Sequence, residues 1–231
     1  MGCDRFNITG SSRTRLKLFD FAVALPFIVW LSWICGQLGS ELIAEAPSLW
    51  QKPNWLLGLR TANQSMAIMF FVTQIVLFAI RPAAKQKAEG LMPRFAALFT
   101  MGAGFLYYYA PAADLSQFVL SVAVLFGIAG LTLAVFTLWW LGRSFSILPE
   151  ARKLVTHGPY RIVRHPLYAA EALSTIGITL QLAQPLGILI ALAIFLGQFT
   201  RMGFEEEVLT RAFPEYAYYE RKTFRLIPYV Y

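Results

Sequence analysis

The side chains able to do chemistry gather in two short stretches of an otherwise apolar chain. The first runs from Arg152 to Tyr168 and holds both histidines, His157 and His165. Gly158-Pro159 and His165-Pro166 punctuate it. Proline removes a backbone donor and disfavours helix in the residue before it. The spacing therefore predicts an irregular loop up to His165, with Pro166 in the first turn of a new helix. Backbone N–H groups at such a start are unpaired and suit a carboxylate or a phosphate. The second stretch is Arg201-Met202-Gly203-Phe204-Glu205-Glu206-Glu207. Arg201 and Glu205 stand four positions apart, on one face of a helix. If the chain between the stretches folds as a helical hairpin, Arg164, His165, Tyr168, Glu171, Arg201 and Glu205 converge near one membrane surface. Acid and base groups at a lipid boundary are costly unless they serve a site or reach water, so their convergence points to function.

The elements that must position these residues follow from hydropathy. Of 231 residues 57% are hydrophobic and 14% charged, and the mean hydropathy is +0.54, too apolar for an ordinary soluble domain. The expected fold is all-α: one polytopic membrane domain over 1–231. Residues 1–140 supply N-terminal spans and 141–231 the loop, a hairpin and a tail. About six spans are read, near 18–39, 64–81, 94–110, 116–141, 166–183 and 186–203. Pro26 is a candidate kink in the first, and 40–63, with Trp50 and Trp55, reads as an interfacial loop. The last two spans turn at Gln184-Pro185, and 204–231 reads as an amphipathic helix ending near Thr223. Gly127 and Gly130 read as close-approach points between helices. The first apolar run has no small-residue cleavage motif after it and reads as an anchor.

The net charge of +7 could suggest nucleic acid, but the cations lie where a membrane topology wants them. The N-terminal tail, the link after the second span, the central loop and the C-terminal tail together hold 18 of the 20 Lys and Arg; Lys52 and Arg60 remain. Six spans with both termini and the polar loop on the cytoplasmic side satisfy this pattern, with attraction to membrane lipids as a by-product. Two histidines and the distant pair Cys3 and Cys35 supply neither a metal site nor a disulfide framework. The sequence leaves the oligomeric state open.

The motifs carry a resemblance. His157-Gly158-Pro159-Tyr160 and Arg164-His165-Pro166-Leu167-Tyr168 are followed by Arg201, Glu205-Glu206-Glu207-Val208-Leu209, Phe213-Pro214-Glu215-Tyr216, Tyr219 and Arg225-Leu226-Ile227-Pro228. In that order, over roughly 140–228, they resemble the isoprenylcysteine carboxyl methyltransferase and phospholipid methyltransferase superfamily. The resemblance implies an integral membrane enzyme using S-adenosyl-L-methionine, with no metal. It implies cofactor contacts at Leu154, Val155, Tyr160, His165, Pro166, Leu167, Tyr168 and Glu205, and Arg201 at the acceptor's polar end; Arg164 and Glu206, beside them, are further cofactor-binding candidates. The approach 141–150 lacks an amide side chain like the one that contacts the cofactor in the carboxyl methyltransferase branch.

The residue types suit that cofactor. A helix start with Arg164 nearby holds a carboxylate, Glu205 accepts from hydroxyls or ammonium, and Tyr160 and Tyr168 cover an adenine or sit beside a sulfonium. The implied acceptor is lipidic or small and membrane-permeable, first an isoprenylcysteine-type carboxylate. A phospholipid amine or a small thiol must lose a proton, which His165 or Glu171 would take. Two other readings stand. Membrane sterol reductases carry a similar Arg-His-Pro-x-Tyr element and bind NADPH there. A scaffold or transporter is the third, although the second to fourth spans carry few polar residues.

Overall fold

The computed structural model describes residues 10–51, 54–111 and 113–231. Arg5 and Lys52 lie outside them. Seven helices and one short ladder make up the described chain. They are α1 (Gly10–Gln51), α2 (Trp55–Ile80), β1 (Gln86–Lys87), α3 (Met92–Phe105), α4 (Gln117–Leu141), β2 (Glu150–Ala151), α5 (Pro166–Leu182), α6 (Pro185–Ala212) and α7 (Tyr216–Lys222). Helix α1, the second and fourth helices and α6 are long and apolar enough to cross a membrane. At 14 and 17 residues, α3 and α5 are shorter. Large apolar side chains such as Val29, Val76, Phe118, Trp139 and Leu196 point outward, as lipid-facing helices require.

Local chemistry sets the ends. Asn54 Oδ1 accepts from Leu56 N at 3.0 Å and starts α2. Ser116 caps α4 through Val119 N. Pro166 and Pro185 occupy the first positions of α5 and α6, where a missing donor costs nothing. Several boundaries differ from the sequence reading. Helix α2 begins at Trp55 and not near 64, so 55–63 is helix and not interfacial loop. The stretch 40–51 continues α1 as helix, with Pro26 and Pro47 inside it. The sixth segment does not stop near 203 but runs to Ala212, so Arg201 to Glu207 sit mid-helix. The amphipathic tail helix shortens to Tyr216–Lys222, with Tyr216 and Tyr219 buried and Tyr218, Glu220 and Lys222 exposed.

The α5–α6 hairpin turns through Ala183, which takes the left-handed conformation at φ 45°. Each arm packs chiefly on another helix: α5 against α4, and α6 against α3. Small residues allow the first contact. A Cβ added at Gly130 would stand 2.3 Å from Ser174 Oγ and 2.5 Å from Ser174 N; one at Gly177 would stand 2.7 Å from Ala123 O.

The link between α2 and α3, the loop after α4 and the end of α6 meet at one end of the bundle. There β1 and β2 pair antiparallel, Gln86 with Ala151 and Lys87 with Glu150. Arg143 Nε donates to Ile80 O at 2.9 Å, and Arg201 Nη2 to Ile147 O at 2.9 Å. The end of α6 thereby lies beside the start of α5 and the loop before it.

Candidate active site

The loop from 142 to 165 is shaped by two glycines. Gly142 ends α4 at φ 53°, and Gly158 turns the chain at φ 62°. At Gly158 a Cβ would stand 2.4 Å from the Trp140 ring, so the residue is fixed by space as well as by conformation. The turn of Gly158–Arg161 that follows drives Tyr160 inward until it is buried. Burial pushes the Tyr160 phenol above its ordinary range, and the nearby Glu205 adds to this.

Between this loop, the start of α5 and the end of α6 lies a cavity of about 390 Å³, within the size range of small-molecule sites. Its polar end is built by Leu154, Val155, Tyr160, Arg164, His165, Leu167, Tyr168, Arg201 and Glu205, with Glu171 deeper. Tyr168 OH donates to Glu205 Oε1. Arg201 Nη2 stands 3.8 Å from the same carboxylate oxygen, and its guanidinium lies over the Tyr168 ring at 5.2 Å. His165 Nδ1 is 3.9 Å from Glu205 Oε2. The cavity continues among Trp30, Leu31, Phe70, Phe71, Met101 and Leu131. It therefore has a charged mouth and an apolar arm inside the bundle.

Two of the expected cofactor residues stand elsewhere. Pro166 and Glu206 do not line the cavity. Glu206 is the hub of an ionic cluster outside it: Oε1 accepts from Arg164 Nε at 3.0 Å, His165 Nε2 at 3.0 Å and Arg225 Nε at 3.1 Å. Arg164 also donates to Glu220 O at 2.8 Å and Thr223 O at 2.9 Å, so its guanidinium is committed to the protein although the residue borders the cavity. The backbone donors of Arg164 and His165, just before α5, are likewise taken. Arg164 N donates to Phe224 O and His165 N to Arg225 O, at 2.8 and 3.1 Å. The C-terminal segment at Phe224 and Arg225 thus holds the two residues just before α5.

Sequence reasoning missed several members. Gln198 lies one turn before Arg201 and donates to Glu171 Oε2 at 3.1 Å. The spacing 198, 201, 205 on one helix face was the available signal. Arg152, buried and bonded to Glu150 and Pro82 O, lines the cavity with Lys153, and so do Tyr216 and Tyr219 from α7. His157 instead packs edge-on against Trp140 at 5.5 Å.

Known proteins share this arrangement of sequence. A family model, phospholipid methyltransferase, matches residues 114–216, which hold α4, the loop, the hairpin and the first residue of α7. Protein-S-isoprenylcysteine O-methyltransferase B of Arabidopsis thaliana is 31% identical over 193 residues, covering 75% of this chain and 95% of that protein. The chain belongs to the isoprenylcysteine carboxyl methyltransferase and phospholipid methyltransferase superfamily. It is a membrane methyltransferase, which sets aside the reductase and transporter readings. Cobalt-zinc-cadmium resistance protein CzcN of Cupriavidus metallidurans is 35% identical over 108 residues, and a probable protein-S-isoprenylcysteine O-methyltransferase of Oryza sativa subsp. indica 33% over 97. Those matches span 47% and 50% of the two relatives.

Proposed function

We propose that this methyltransferase takes its methyl group from S-adenosyl-L-methionine and gives it to a lipidic or small membrane-dissolved acceptor at the cavity described above. The observation that carries this reading is the union, in one cavity, of a charged mouth around Glu205 and Arg201 with an apolar arm inside the bundle. The cofactor fits the mouth by chemistry. Glu205 is an acceptor for hydroxyls or ammonium, Tyr160 and Tyr168 offer aromatic faces, and Leu154, Val155 and Leu167 offer apolar surface. Arg201 Nε is buried without a hydrogen-bond partner, a donor still to be satisfied.

When bound, the cofactor supplies a sulfonium methyl, which transfers as the new bond to the acceptor forms and the carbon–sulfur bond breaks. The protein's part is alignment in a dry site. Glu205 is held by Tyr168 and lies near Arg201, so its oxygens face a fixed direction. Arg201 is steadied in turn by Ile147 O and lines the cavity, where its charge would meet the acceptor's polar end. A carboxylate, the isoprenylcysteine type of acceptor, is ionised at neutral pH and needs no base there. It is the acceptor that an unsatisfied guanidinium donor suits best.

One observation favours a second reading. Glu171 lines the same cavity and is oriented by Gln198. An amine or thiol acceptor would need such a proton acceptor. Both ring nitrogens of His165 face carboxylates, so Glu171 is the better placed of the two. The charge pattern of the sequence supports a cytoplasmic position for the mouth and for both termini.

The experiment is transfer of labelled methyl from S-adenosyl-L-methionine to membrane lipids, prenylcysteines and small thiols by the purified chain. Label released as methanol by mild alkali identifies a methyl ester. Alkali-stable label identifies an amine or thioether. No transfer to any pool, together with no equilibrium binding of the cofactor, refutes the proposal.

A further inference from the structure

The part of the cavity inside the bundle carries a few polar side chains, and most are spent on the protein. Thr100 Oγ1 donates to Ala96 O at 2.7 Å, Thr175 Oγ1 to Glu171 O at 2.9 Å, and Gln198 Nε2 to Glu171 Oε2 at 3.1 Å. Gln74 differs. It lines the same cavity and is 8% exposed, yet its amide makes no hydrogen bond among the described residues. A buried polar group without a partner costs free energy, and within a membrane-spanning helix it is rarely idle.

The packing of α2 says where the amide opens. Gln74 shares an inward stripe with the buried Leu77 and Phe78, whereas Met69, Val72, Val76 and Ile80 are exposed on the opposite side. Phe70 and Phe71, one turn away, line the cavity as well. Neither amide atom of Gln74 is closed off by protein, whereas Asn63 Oδ1 on the same helix is. The surface that Gln74 keeps therefore belongs to the cavity. Ile80, whose carbonyl accepts from Arg143 Nε, marks the mouth end of α2. Gln74 stands about 9 Å from it along the helix axis, among apolar walls. A hydrocarbon chain filling this arm strips any water from the amide and leaves it unpaired. A chain with a hydroxyl or carbonyl at that depth pairs with it, since an amide both donates and accepts.

We infer that Gln74 is a specificity-determining residue: its amide hydrogen-bonds a hydroxyl or carbonyl carried part-way along the acceptor's apolar body, so that a plain hydrocarbon chain is disfavoured. This rests on the reading of the cavity as the acceptor site given above, and it narrows the acceptor class to lipids with an oxygen function in the chain.

The test uses the full-length protein in lipid nanodiscs, with empty discs as background. The probes are hexadecanoic acid and its monohydroxy isomers, one for each chain position, in competition with tritiated hexadecanoic acid. Their carboxylate suits the charged mouth, and the hydroxyl samples each depth of the arm. The affinity of the best isomer relative to the parent acid is measured in the wild type and in two variants without the amide, Gln74→Leu and Gln74→Met. Both variants should lower that ratio about 3- to 10-fold, the worth of one net hydrogen bond, and should hold the parent acid as well or better. Their ligand-free Tm should stay level or rise, because no bond within the protein is lost. A ratio that is the same in wild type and variants overturns the inference. So does a ligand-free Tm that falls in both variants, which makes Gln74 a structural residue. If the wild type binds none of the acids, the acceptor reading of the cavity fails, and the inference with it. Wild-type binding with an unmoved ratio sinks the inference alone.

Discussion

Replacing Glu206 with alanine should loosen the C-terminal segment and the start of α5 together. The carboxylate meets three cationic or titratable side chains at 3.0–3.1 Å: Arg164, His165 and Arg225, with Arg225 also reaching Oε2 at 3.0 Å. Removing one partner of a fully buried ion pair costs about 3–5 kcal/mol. Here the side chains of Glu206, Arg164 and Arg225 retain 15%, 12% and 21% of their exposure, so water screens part of the loss. Arg164 also keeps its bonds to Glu220 O and Thr223 O. The expected cost is therefore about 2–3 kcal/mol. For a chain of this size that corresponds to a Tm lower by roughly 5–10 °C. Glu206→Gln, which keeps an acceptor oxygen but no charge, should fall between. The assay is thermal unfolding in detergent, paired with limited trypsin digestion. Release of α7 and the segment after it should expose Arg221, Lys222 and Arg225 to cleavage sooner than in the wild type. A Glu206→Ala protein with wild-type Tm and an unchanged tryptic pattern would refute the clamp.

Further expectations follow from the same geometry. Gly130→Ala places a methyl against Ser174 backbone and Ala170 O, so α4 and α5 must part; a loss of about 1–3 kcal/mol is expected, read as a lower Tm. Arg201→Lys keeps the charge but loses the fork that reaches Ile147 O; transfer should drop at least about 10-fold, with weaker effect on cofactor affinity, and equal activity would remove Arg201 from the site. Alkaline pH should destabilise the protein through its buried phenols. Tyr219 is pushed up to about 12 by burial, and burial also raises Tyr160 and Tyr216. These groups ionise near 10 in the unfolded chain and stay neutral in the folded one. Stability should hold below pH 10 and decline as pH rises from there toward 12, measured as Tm against pH; a flat profile would contradict this assignment.

The site was legible wherever chemistry and local pattern coincide. His165-Pro166 announced the start of α5, because proline fixes the first turn of a helix whatever surrounds it. Arg201 and Glu205 declared a shared face by spacing alone. What lay hidden was set at long range. Phe224 O and Arg225 O cap donors about 60 residues earlier in the chain, and no window on Arg164 contains that fact. The ladder of β1 and β2 is too short for any periodicity. Glu206 looked equivalent to Glu205 in a run of three acids, yet a one-residue step turns it from the cavity to the ionic cluster. The extension of α1 to Gln51 escaped because Glu41, Glu45 and Pro47 imitate the end of a span.

Helix α6 is one uninterrupted rod of 28 residues, about 42 Å long at helical rise. Its first half sits in the apolar bundle, and its second carries Arg201 and Glu205. No hinge separates the two. Anchored this way, the chemistry is geared to the host bilayer: a thinner or thicker membrane that tips the rod moves both side chains as one unit against the loop. Turnover should accordingly follow acyl-chain length in reconstituted vesicles, with an optimum where hydrophobic thickness matches the rod.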